Sequence, residues 1–250
     1  MASTDAAGST DAAEMPPRRG GAQPIPRPEV ARPGRPAPWD RGGAGKLRPR
    51  PRLISVADVR AALARRGEPA GPPAEVPTVA LPGPSRRPAA VLCALFDEEG
   101  IAEVVLTRRS AGLRSHTGQV SFPGGRLDPG ETPVQAALRE AHEEVGLDPA
   151  SVDVFGRLAT VRTVVNPAPI VPFVAALPGR PDLHPNPAEV ERAFTVSLTE
   201  LSDPDVYREE LWTFADGIER PMHFFELIGD TVWGATARML WELLELVLAP

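Results

Sequence analysis

The chain of 250 residues holds a single cysteine, Cys93, so no internal disulfide can form. Cys93 lies in the apolar run AAVLCALF, which suits a buried, inert thiol and agrees with a reducing, cytoplasmic setting. The sequence also lacks any stretch of 18 consecutive apolar residues, which argues against a membrane-spanning helix. Its first residues, MASTDAAGSTDAAEM, have neither a basic segment nor an apolar core, so they do not read as a secretion signal. No internal repeat is present. The formal net charge is −6. Residues 1–52 carry 10 basic and 5 acidic residues, or +5, which leaves −11 on the remainder. An acidic body without a basic stripe is a poor match for duplex nucleic acid.

Organisation follows from composition. Residues 1–52 contain 10 of the 31 prolines and almost no large apolar residues, so they read as a disordered tail. Trp39 is the one residue there suited to anchoring. Residues 53–87 read as a short helix, SVADVRAALARR with Ser55 as N-cap, followed by a proline-rich linker. A folded domain is expected over 88–250. Its strands are AAVLCALF, a turn at DEEG, IAEVVLT, alternation within 152–165, a buried strand over 170–177, another over 193–198, and two more flanking Asp216 and Gly217. The chain then closes with the apolar-rich helix WGATARMLWELLELVL.

The most informative stretch is GRLDPGETPVQAALREAHEEVGL, residues 125–147. Thr132 and Pro133 start a helix as N-cap and first-turn proline, and Gly146 stops it. Val134, Ala137, Leu138, Ala141 and Val145 form an apolar stripe suited to packing on a sheet. Glu140, Glu143 and Glu144 fall at i, i+3 and i+4, on one face. Three neighbouring carboxylates repel one another unless they are simply solvated or share a hard divalent cation. The loop Gly124, Gly125, Asp128, Pro129, Gly130 bends freely ahead of the helix, and Glu131 and Arg139 are placed to pair across it.

This stretch resembles the Nudix box, GX5EX7REUXEEXGU with U apolar. Gly125, Glu131, Arg139, Glu140, Glu143, Glu144, Gly146 and Leu147 hold its fixed positions, and Ala141 is a small residue at the first U. Upstream, residues 105–125 are similar to the signature of the coenzyme A diphosphatase branch, LLTXRSX3RX3GX3FPGG. Leu106, Thr107, Arg109, Ser110, Arg114, Gly118, Phe122, Pro123, Gly124 and Gly125 are in register, and Val105 replaces its first leucine.

The resemblance implies an α/β/α sandwich with a mixed β-sheet and a loop–helix catalytic motif. It implies Mg²⁺ or Mn²⁺ held by Glu140, Glu143 and Glu144 with a backbone carbonyl at Gly124 or Gly125. Arg139 would orient the carboxylates and Glu131 would support it. The general base would be a box glutamate or a later acid, Glu189 or Glu191, both of which also suit ordinary exposed loop positions. Arg108, Arg109 and Arg114, with Gly125 and Phe122, would meet the substrate; arginine's planar fork matches phosphate oxygens. Ser115 and His116 share that loop, where His116 reads more simply as a structural hydrogen-bonder.

The implied activity is hydrolysis of coenzyme A or acyl-coenzyme A to 3′,5′-ADP and a 4′-phosphopantetheine product. Alternatives are another nucleoside diphosphate derivative (NADH, ADP-ribose, a dinucleoside polyphosphate) or a non-catalytic Nudix binding module. The last usually lacks a box glutamate, and here all are present. A homodimer is a common family assembly, though no residue marks an interface.

Overall fold

The computed structural model describes residues 19–23, 25–40, 52–67, 87–111, 118–162 and 168–249. An N-terminal strand β1 (Ala31–Pro33) is followed by helix α1 (Val56–Arg66). The central strands β2 (Ala89–Glu98) and β3 (Ile101–Arg109) form a hairpin. Its turn takes only Glu99 and Gly100, both at positive φ (51° and 79°), the primed geometry that matches strand twist. Two short strands, β4 (Val120–Ser121) and β5 (Gly124–Arg126), lead to helix α2 (Pro133–Val145). Then come β6 (Asp153–Arg157), β7 (Ile170–Ala176), β8 (Val190–Ser197), a single helical turn α3 (Leu198–Leu201), β9 (Tyr207–Thr213), β10 (Glu219–Leu227), β11 (Asp230–Trp233) and helix α4 (Gly234–Leu248).

Seven strands make a mixed sheet in the order β4-β3-β2-β7-β6, with β5 paired to β2 and β8 to β3. The β2–β7 pair is parallel and the others antiparallel. Alternation along β2 divides the core, as a strand buried on both faces requires. Leu92, Ala94 and Phe96 pack with Ala136, Ala137, Ala141 and Val145 of α2. Cys93 and Leu95 pack on the opposite face with Leu63 of α1 and Leu240, Leu243 and Leu244 of α4. The result is the expected α/β/α sandwich, with Cys93 fully buried.

Two features depart from expectation. A second, antiparallel sheet, β1-β9-β10-β11, lies on the α4 side and contributes Tyr207, Phe225, Leu227 and Val232 to that core. Residues 19–23 and 25–40, expected in a disordered tail, supply its edge strand. Ala31 pairs with Trp212, and Gly20 N–H donates to Leu227 O at 2.6 Å. The docking relies on main-chain pairing and on Arg27–Glu210 and Arg32–Glu219 ion pairs, which the low apolar content of this segment does not preclude. Trp39 does anchor: its Nε1 donates to Ser202 O at 2.9 Å and its ring lies 5.2 Å from that of Tyr207. The remaining parts of the expected tail and linker, at 1–18, 41–51 and 68–86, lie outside the described residues. Among the described residues, no helix is long and apolar enough to cross a membrane.

Candidate active site

Helix α2 presents its carboxylates where the glycine loop meets the sheet. The helix is capped as the sequence predicts: Thr132 accepts from Gln135 N–H in a capping box, and Gly146 closes it at φ 76°. Ahead of it, β5 runs along β2 so closely that only glycine fits at position 124. A Cβ on Gly124 (φ 151°) would lie 2.4 Å from Ala90 O, and one on Gly125 would lie 2.4 Å from the Glu140 carboxylate. Gly125 is therefore the floor on which Glu140 rests.

The three box glutamates have different environments. Glu144 is 3% exposed, accepts Gly124 N–H at 3.1 Å and lies 3.7 Å from Arg109 Nη1. Burial pushes its carboxyl up to about 7, against the opposing pull of the Gly124 hydrogen bond and the Arg109 charge. Glu140 is half-buried and likewise raised by burial, with Arg139 opposing. Glu143 is exposed and its carboxylate turns to Arg139 Nη1 at 2.9 Å.

Arg139 is the hub of this arrangement. It grips Glu131 with both prongs of its fork at 2.9 and 3.0 Å and donates to Glu140 at 3.0 Å and to Arg126 O at 3.2 Å. The pairing holds the Glu131 carboxyl below its ordinary value, the Arg139 hydrogen bonds being the largest cause. The predicted loop-to-helix ion pair is thus present, and it fixes Glu140 by contact.

A third carboxylate arrives from the segment before β8. Asn186 N–H donates to Glu144 O and His184 N–H to Val145 O, both at 2.9 Å, tying the segment to the end of α2. Ser110 N–H donates to Glu189 O at 2.9 Å, tying it to the end of β3. Glu140, Glu144 and Glu189 each offer an oxygen, all within 4.8 Å of one another. Sequence reading put Glu143 in this trio and left Glu189 and Glu191 equivalent. The difference arises at a bulge: Arg108 pairs with Arg192 but Arg109 pairs with Val190, so Glu191 is an extra residue. Glu191 lies 3.4 Å from Arg108, away from the trio.

Strand alternation also separates the predicted substrate residues. Arg109 faces α2, and its buried Nε has no hydrogen-bond partner among the described residues. Arg108 faces the other way, to Asp230 Oδ1 at 3.2 Å, so it is not placed to meet a substrate beside Glu144. Phe122 is 1% exposed in the α4-side core, where it is a packing residue and not a ligand contact. Arg114, Ser115 and His116 lie outside the described residues.

The site is an acidic cluster on a capped helix, beside a glycine loop and an arginine with an unpaired buried donor. That combination suits a hard divalent cation and a phosphate-bearing ligand. A model of the NUDIX domain matches residues 86–220, more than half of the chain, and the chain belongs to the Nudix family. It is 40% identical over 145 residues to an uncharacterised Nudix hydrolase, NudL, of Photorhabdus laumondii, covering 58% of this chain and 76% of the relative. It is 43% identical over 114 residues to Nudix hydrolase 3 of Caenorhabditis elegans, covering 44% of this chain and 48% of that protein. Among solved structures, the Nudix hydrolase RenU of M. smegmatis is 29% identical, with a TM-score of 0.41 over 47% of this chain and 74% of that one.

The protein is a Nudix hydrolase acting on pyrophosphate bonds of nucleoside diphosphate derivatives, and such hydrolases need a divalent metal ion. The residues present fit that requirement. Clustered carboxylate oxygens are the donors Mg²⁺ and Mn²⁺ prefer, and the burial cost on Glu144 is one a cation offsets.

Proposed function

We propose that the protein hydrolyses the diphosphate of coenzyme A or acyl-coenzyme A, releasing 3′,5′-ADP and (acyl-)4′-phosphopantetheine. The observation that carries this reading is Arg109, a signature residue of the coenzyme A branch. Its guanidinium lies 3.7 Å from the buried Glu144 through Nη1, and its buried Nε has no hydrogen-bond partner among the described residues. A diphosphate oxygen would supply the missing acceptor. Arg114, in the same signature, is assigned to the substrate as well.

In this reading Glu140 and Glu144 would hold Mg²⁺ or Mn²⁺, with the Gly124 carbonyl as a further ligand and Glu143 on the solvent side. A divalent cation held there would supply positive charge against the diphosphate and lower the pKa of a nearby water. Arg139 keeps Glu140 in place, and Glu131 keeps Arg139 in place. Glu189, rather than Glu191, is the base that takes a proton from the attacking water. Nothing in this chemistry needs nucleic acid or a membrane, and the reading places it in the cytoplasm.

The test is incubation with coenzyme A and either cation, followed by chromatography of the products. Appearance of 3′,5′-ADP and 4′-phosphopantetheine supports the assignment. Much faster turnover of ADP-ribose, NADH or a dinucleoside polyphosphate would remove the substrate and leave the hydrolase.

A further inference from the structure

We propose that Asp230 is a positioning residue for the active site, acting through the bulge between β3 and β8. In this proposal the N-terminal segment completes the device through Gln23. Asp230 opens β11 and is 1% exposed. Its carboxylate accepts from Gln23 Nε2 at 2.9 Å, from Arg108 Nη1 at 3.2 Å and from Arg192 Nη2. Arg108 and Arg192 are the cross-strand pair that immediately precedes the bulge. One buried carboxylate therefore fastens the two strands together where their register slips.

The opposite face of the same strand ends carries the chemistry. Arg109, the next residue of β3, lies 3.7 Å from Glu144, and Ser110 N–H holds the main chain of Glu189. Removing the clamp frees β8 to slide by one residue, and a one-residue slip exchanges faces. It would put Val190, which has no carboxylate, where Glu189 now stands. A bulge beside an active site serves to aim a side chain, and here it needs a fixed point behind it.

The N-terminal segment fits the clamp closely. Gln23 bridges Asp230 and Thr231, donating to the first and accepting Thr231 N–H at 3.0 Å. Gly21 N–H donates to Thr231 Oγ1 at 3.0 Å. A Cβ on Gly21 would lie 1.8 Å from Gln23 Oε1 and 2.9 Å from Asp230 Cα, so alanine there must push the segment off.

The proposal rests on the reading of Arg109 and Glu189 given above, but its test does not require coenzyme A as substrate. Steady-state kcat and KM are measured on whichever nucleoside diphosphate derivative the wild type cleaves best, at saturating metal and well below the melting temperature. Asp230→Asn and Arg192→Gln are expected to lower kcat about tenfold and to raise KM about threefold, as loss of an outer support does. Arg192→Lys keeps the charge and restores both constants to within about twofold by the same reasoning. Gly21→Ala shifts both constants the same way by a smaller factor.

A purely structural role would lower the melting temperature and leave kcat and KM of the folded variants unchanged; that outcome overturns the proposal. Equal losses in Arg192→Lys and Arg192→Gln overturn it too. If Asp230→Asn does not fold, Arg192→Gln, at a side chain half exposed in the native protein, and Gly21→Ala decide the matter. A wild type inactive on coenzyme A but active elsewhere refutes only the substrate.

Discussion

A carboxylate that is 3% exposed, with one backbone donor and an arginine 3.7 Å away, is costly to ionise in the absence of a cation. Glu144 tolerates this because the site is built around its charge. Glu144→Gln should therefore lower turnover by at least about two orders of magnitude while the protein stays folded, since the lost charge acts on the reaction directly. Unchanged turnover would remove its role. The two later acids are separable in the same assay. Glu189→Gln should lower kcat about a hundredfold, the lower end for loss of a general base, whereas Glu191→Gln should stay within about twofold. Glu131 and Arg139 could be paired from sequence because they belong to one continuous loop–helix segment whose spacing fixes the geometry. Glu189 and Glu191 could not be told apart, because the choice depends on one extra residue in β8 opposite β3. Phe122 was misjudged for a related reason: its motif position says nothing about which face of the sheet it enters.

At the scale of elements, the signals that worked were local and repeated. Ser55 with Asp58 and Thr132 with Gln135 both form capping boxes, and each helix ends on a left-handed glycine. Strands β2, β3 and β7 were legible because each runs for seven residues or more and is mostly apolar. Strands β4, β5 and β11 span two to four residues, too short for a period of two to show. The second sheet packs on α4 through a buried contact no periodicity reveals. Tyr207 O–H bonds His223 Nδ1 at 2.8 Å, and the His223 ring stacks on Trp241 at 4.8 Å. Burial, helped by the Arg238 charge, lowers the His223 imidazole to about 4 from 6.5. The native state therefore holds this histidine neutral over a range in which the unfolded chain protonates it. Its contribution is full above about pH 6.5 and is lost as pH falls from there towards 4. In His223→Gln, urea unfolding measured across that window should show a shallower acid limb than the wild type. Parallel limbs would mean that His223 does not titrate as described.

The whole molecule is larger than the part that the family model matches, which ends at residue 220. Beyond that point, most of β10, β11 and α4 close the core on the face opposite α2, and residues 19–40 lie against the sheet they form. The opposite charges of the N-terminal segment and the body thus have a physical use: Arg19, Arg27 and Arg32 meet Glu200, Glu210 and Glu219. These ion pairs are largely exposed and so weak and screened by salt. The firmer attachments are Trp39, packed partly on the core, and the Gln23 amide over Asp230. Trp39→Ala should lower unfolding free energy by about 2 kcal/mol, as expected for losing a large, partly buried ring and one hydrogen bond. Deleting residues 1–40 should lower it further, with a larger deficit at low salt than at high salt, because only the wild type gains from the ion pairs. Chemical denaturation at two ionic strengths reads both terms. Equal stability of the truncated and full-length chains at both would mean that the segment adds nothing to the fold. A deficit that ignores salt would assign the attachment to Trp39 and the main-chain pairing of β1 alone.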